Sequence, residues 1–153
     1  MRPLVLFVAF FSLTISYAQT EEEKEIKKTI THFFEGFHKR DSLVMKENIH
    51  PAIVMQTIGE DSLGNAVVKE EKFSSFLKAI VGIPKAMKFE ERLRSYHIQV
   101  DGKMANVWTP YEFWTNDIFS HCGVNSFQLV KADEHWKIIY IIDTRRKEAC
   151  KKE

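Results

Sequence analysis

Apolar residues recur at helical spacing early in the chain and at alternate positions later, and the change of period divides the sequence. Glu21-Glu22-Glu23 opens a helix, because anions complement the positive end of the helix dipole. Ile26, Ile30, Phe33, Phe34 and Phe37 then form one apolar stripe, Gly36 weakens the last turn, and His38-Lys39-Arg40 suit a C-terminus. Asp41 is placed to cap a short second helix carrying Leu43, Val44 and Ile49, which ends before Pro51. Residues 52–58 read as a strand, and Gly59 to Asn65 as a turn. Lys69 to Val81 reads as a third helix with Phe73, Phe76, Leu77 and Ile80 inward, stopped by Gly82 and Pro84. From Phe89 the period is two, predicting strands at 89–100, 104–114, 119–131 and 135–145. Asp101-Gly102 signals a hairpin between the first pair, and Ala132-Asp133-Glu134 joins the last pair. Helices first and an antiparallel meander afterwards define an α+β fold. A curved antiparallel sheet wrapped over N-terminal helices would enclose a cone-shaped cavity.

The N-terminus carries an address. Arg2 supplies a charge, Leu4 to Ile15 is a nearly apolar run of 12 residues, and Ser16-Tyr17-Ala18 sets small residues at a cleavage site. The run is too short for a bilayer, which takes about 20 residues. Residues 1–18 therefore read as a signal peptide cleaved near Ala18, and residues 19–153 as one domain, secreted or periplasmic and free of the membrane after cleavage. With 22 Lys and Arg against 21 Asp and Glu, the chain is not the basic surface that nucleic-acid binding demands. Its 28% charged and 44% hydrophobic residues are those of a folded globule. In an oxidising compartment Cys122 and Cys150 can pair, closing a loop worth roughly 3.6 kcal/mol in the chain-entropy model. They can equally stay as two thiols, since geometry and not spacing decides.

Alternation sorts the strand faces. Phe127 and Leu129 inward carry Asn125, Gly123 and His121 with them, and Val107 inward carries Ala105, Thr109, Tyr111 and Phe113. Setting Leu129 opposite Lys137 brings His121 near Arg145, so His121, Tyr111, Asn125 and one of Asp143 or Arg145 converge at one end of the cone. Phe33, Phe37, Phe73, Tyr111, Phe113 and Trp136 would line an aromatic cavity for a small, partly aromatic ligand, although residues at such spacing also make an ordinary core. If the site is catalytic, His121 is the general base or acid and Asp143 orients it, with Tyr111 or Asn125 donating to an oxyanion. The alternative roles are a structural histidine and an Asp143–Arg145 ion pair holding the tail. Cys122 points away from His121, which removes a thiol nucleophile. No metal-ligand spacing, GxSxG, Walker loop or GxGxxG occurs, so no metal or other cofactor is called for.

The run Trp108-Thr109-Pro110-Tyr111-Glu112-Phe113-Trp114, the segment Ser120-His121-Cys122-Gly123-Val124-Asn125-Ser126-Phe127-Gln128-Leu129, Trp136-Lys137-Ile138, Asp143-Thr144-Arg145-Arg146 and Cys150 resemble the SnoaL-like group. More closely, they resemble the exported "putative lumazine-binding" proteins of the nuclear transport factor 2-like superfamily. The resemblance implies an α+β cone, often a homodimer, and no fixed activity, since that superfamily holds isomerases, dehydratases, cyclases and non-catalytic binders. Three functions stay open: a small-molecule binder, a cofactor-independent dehydratase, isomerase or cyclase using His121 and Asp143, and a dimeric interaction module whose cavity is filled by side chains.

Overall fold

The computed structural model describes residues 13–150. The first 12 residues of the expected signal peptide lie outside them. Helix α1 (Leu13–Lys39) begins upstream of the expected Glu21, because no proline or glycine interrupts residues 13–20. Its stripe is buried throughout, at Ile26, Ile30, Phe33, Phe34 and Phe37. At its end Arg40 adopts a left-handed φ of 58°, and Asp41 N–H donates to Gly36 O at 2.8 Å, closing the last turn. The Asp41 side chain accepts from Leu43 and Val44 N–H at 3.0 and 3.2 Å, capping α2 (Ser42–Glu47) as expected. Ile49, expected in that helix, instead opens β1 (Ile49–Glu60).

β2 (Ala66–Glu71) pairs antiparallel with β1, and the expected helix from Lys69 is corrected here: α3 (Phe73–Val81) starts only after this strand. Val67 and Val68 favour extended chain, and pairing with Gly59 and Ile58 outweighs the helical pattern that begins at Lys69. The expected strand 89–100 is likewise two, β3 (Phe89–Leu93) and β4 (His97–Asp101). Both pair with β5 (Met104–Thr115), on either side of Pro110. Proline has no N–H to give the ladder, so the neighbouring chain breaks there, keeping only Arg94 N–H to Pro110 O at 2.9 Å. β6 (Ile118–Ala132) and β7 (His135–Arg146) complete the sheet. Their hairpin turns use Asn116-Asp117 and Asp133-Glu134, all at positive φ, as two-residue turns require.

The strand order is β2-β1-β7-β6-β5-β3, with β4 also on β5. β1 runs parallel to β7, so the sheet is mixed rather than wholly antiparallel. It is curved and unclosed, an α+β cone over α1. Phe34 meets Phe127 edge to face at 6.2 Å, and Phe127, Val107, Leu129 and Ile138 are completely buried around it. Cys122 and Cys150 form a disulfide, with Cα atoms 5.9 Å apart, which ties the end of the chain to β6.

Candidate functional site

Tyr111 owes its position to a missing side chain. Gly123 is its partner on β6, and a Cβ there would stand 1.8 Å from Thr144 O and 2.7 Å from the Tyr111 ring. Glycine thus lets the ring lie flat against the sheet, where its hydroxyl donates to Thr144 O at 3.0 Å, with Asp143 Oδ2 at 3.3 Å. Asp143 Oδ2 also accepts from Arg145 Nε at 2.8 Å. Across the same end, Asn125 Nδ2 donates to Glu91 Oε1 at 2.6 Å. The second Glu91 oxygen, Oε2, accepts no hydrogen bond among the described residues. The Glu91 N–H donates to His38 Nε2 at 3.0 Å, fixing β3 against α1.

These groups form the polar part of an open cavity of about 490 Å³, whose apolar wall includes Phe33, Phe34, Phe37, Phe76, Phe113 and Phe127. Phe37 and Phe76 lie parallel, 5.9 Å apart. Lys69, Glu70 and Glu71 of β2 contribute to the lining as well. Glu91 is half-buried on the cavity wall, and desolvation of its carboxyl pushes the pKa up to about 7; Asp143 adds to the rise while the Asn125 hydrogen bond and Arg145 oppose it. Burial likewise raises the Tyr111 hydroxyl, helped by Glu91 and Asp143. His121 is lowered by burial and then by Arg145, and His38 by burial. Burial works against the Arg145 cation, but its hydrogen bond and charge pairing with Asp143 win and raise it.

Of the residues singled out from sequence, His121, Asp143, Tyr111, Phe113, Asn125, Arg145, Phe33 and Phe37 all line this cavity. Trp136 does not. It is buried in the core, with Lys131 Nζ 5.9 Å from its ring centre. Phe73 packs on Phe76 at 6.2 Å and does not reach the cavity, a place that Phe76 takes instead. His121 and Asp143 do not form the expected hydrogen-bonded pair. His121 Nδ1 shares a hydrogen bond with Ser120 Oγ at 3.0 Å and its ring stacks on Phe113 at 5.0 Å, while Asp143 is engaged by Tyr111 and Arg145. The reason is register. The two-residue turn sets Leu129 opposite Ile138, and a further shift at Gln128/Leu129 sets Asp143 opposite Asn125 and Arg145 opposite Gly123.

Glu91 is the residue that sequence reasoning missed. Its signal was present: Phe89 inward on an alternating strand carries Glu91 inward, and a carboxylate on an apolar face is unusual. Among the described residues no group of three or more His, Cys, Asp or Glu side chains is placed to hold a metal ion.

The curved sheet, the helix across it and the cavity between them define the cystatin-like cone of the nuclear transport factor 2-like proteins. An NTF2-like protein of unknown function from Shewanella baltica OS155 is similar at 16% identity and a TM-score of 0.62, covering 84% of this chain and 97% of that one. A putative dehydratase of the NTF2-like family from Streptomyces avermitilis is 14% identical with a TM-score of 0.64, over 84% and 98% of the two chains. An NTF2-like protein with a cystatin-like fold from Novosphingobium aromaticivorans is 11% identical with a TM-score of 0.68, over 90% of each chain. At such identities these likenesses establish the fold alone. No curated protein matches the chain. The model of the family described as "putative lumazine-binding" matches residues 21–141, and the chain belongs to that family.

Proposed function

We propose that this protein binds a small, planar, partly aromatic molecule in the cone cavity and is exported before doing so. The observation that carries this reading is the cavity itself: about 490 Å³, aromatic along its wall, with hydrogen-bonding groups gathered at one end. Flat apolar walls supply affinity, and the few polar groups supply orientation. The family's description suggests a small-molecule ligand. The interaction-module reading asked for a cavity filled with side chains, and an open one counts against it. Export rests on the leader pattern of residues 1–18.

Native mass spectrometry of the protein from its natural source tests both parts. A discrete extra mass, lost on denaturation, supports binding and gives the ligand's class. A bare chain that also fails to take up aromatic compounds overturns it. A denatured mass beginning at Gln19 supports cleavage after Ala18, and one that retains Met1 in a secreted fraction refutes it.

A second reading, a cofactor-independent lyase or isomerase, is favoured by one observation, the raised Glu91 carboxyl, which can hold or release a proton near neutrality. The group in question is then Glu91 rather than the unpaired His121. Chemical change of the recovered ligand by the wild-type protein, absent with Glu91→Gln, would decide for it.

A further inference from the structure

At the polar end of the cavity the inward charged groups are Glu91, Asp143 and Arg145, two acids to one base; the lining residues Lys69, Glu70 and Glu71 are exposed on the rim strand β2. Arg145 is already committed to Asp143 at 2.8 Å. Glu91 has no cation in hydrogen-bond contact: Asn125 satisfies one carboxyl oxygen and the other is left without a donor from the described residues. Around it stand His38 of α1, Tyr111 of β5, His121 and Asn125 of β6, Asp143 and Arg145 of β7, and Glu90 and Arg92 of its own strand. Both histidines are held toward the neutral form, and Glu90 and Arg92 pair with each other at 2.8 Å. Arg145 favours the ionised Glu91 only from a distance, and no cation in this shell reaches hydrogen-bond contact with its carboxylate.

Resting on the binding function proposed above, we infer that the cavity selects an aromatic cation bearing adjacent N–H donors, such as an amidinium or a protonated amino-heterocycle, which the free oxygen of Glu91 receives while the ring lies against the phenylalanine wall. Each oxygen of an ionised carboxylate can accept two hydrogen bonds, so the free oxygen takes one N–H while Oε1, bonded to Asn125, keeps a lone pair for the neighbouring one, and charge-assisted hydrogen bonds are among the stronger polar contacts. An anionic ligand would meet Glu91 and Asp143 and find both nearby guanidinium groups, Arg145 and Arg92, already paired. A neutral ring would gain the aromatic contacts alone.

Titration calorimetry with three naphthyl compounds of one shape tests this: 2-naphthamidine, a cation, 2-naphthamide, neutral, and 2-naphthoate, an anion. At pH 8 the amidine is expected to bind at least tenfold more tightly than the amide, and the naphthoate weakest. From pH 6 to pH 8 the amidine should tighten about tenfold as the Glu91 carboxyl ionises, while the amide changes little. Glu91→Gln should remove most of the amidine preference. The wild-type pH series carries the same test if that variant folds poorly. Equal or tighter binding of the amide or the naphthoate, or an amidine affinity flat with pH, overturns the charge class and leaves the binding function standing. Failure of all three compounds to bind at millimolar concentration overturns both.

Discussion

Replacing Glu91 by glutamine should stabilise the protein at pH 8 and do much less at pH 5. The carboxyl titrates near 4.5 when unfolded and at about 7 in the fold. Between those values the folded chain holds more protons than the unfolded one, so stability falls as pH rises through this window. With about 1.4 kcal/mol per pKa unit, the folded wild type carries a penalty of about 3 kcal/mol at pH 8 and about 1 kcal/mol at pH 5. Glutamine keeps an oxygen for the Asn125 hydrogen bond but never ionises, so it escapes the penalty. His121 and His38, whose pKa values are lowered, also make stability depend on pH, but they do so equally in both proteins and cancel in the difference. Thermal or urea melts of both proteins at the two pH values provide the assay. The variant's advantage should grow by about 2 kcal/mol from pH 5 to pH 8, or about 7 °C in melting temperature. An advantage that is the same at both pH values would show that Glu91 titrates normally, and the reasoning about a desolvated carboxyl with no cation in contact would fail. Such a penalty is the pattern of a site kept for a ligand rather than for stability.

Two further outcomes follow from local geometry. Gly123→Ala drives a methyl into Thr144 O and the Tyr111 ring, and should cost about 3 kcal/mol or more in urea unfolding while opening the Tyr111–Thr144 hydrogen bond. An alanine variant as stable as wild type would mean that Tyr111 is not held as described. Replacing Cys122 and Cys150 together by serine removes the tie to the C-terminal tail and should cost about 3–4 kcal/mol, read by the same melts. Equal stability with and without reductant would contradict a bridge that constrains the chain.

The parts of this fold legible in the sequence were those whose periodicity is local. The α1 stripe, the Asp41 cap, and the inward rows Ala105–Phe113 and His121–Leu129 were read from spacing alone, and all place their residues as expected. Illegible parts depended on strand pairing rather than on local spacing. β2 looks helical until β1 is beside it, and β3 and β4 look continuous until Pro110 is seen opposite. The site failed on register: the tight Asp133-Glu134 turn and the irregularity at Gln128/Leu129 each moved β7 by one residue, which kept the faces but gave Asp143 to Tyr111 and Arg145 and left His121 with Ser120. Glu91 was overlooked for a different reason, because a charged pair Glu90-Glu91 resembles a solvated strand end unless each residue is assigned its own face.

The parallel pairing of β1 with β7 bears on how the chain comes to be folded. β7 follows the other strands of the described residues in sequence, yet it occupies an inner position between β1 and β6. Without β7, α1 can still pack on β3 and β6 through Phe37–Phe89 and Phe34–Phe127, but the β1–β2 hairpin has no strand of the main sheet to pair with, and β6 has only β5 on one side. The Asp143–Arg145 end of the site and the closure of the sheet onto β1 both depend on β7, which pairs with a strand about 85 residues earlier in sequence, a long-range contact of the kind that slows folding. A chain cut short before residue 135 loses the strand that joins its two halves, leaving two fragments of sheet with open edges instead of a smaller version of the same protein.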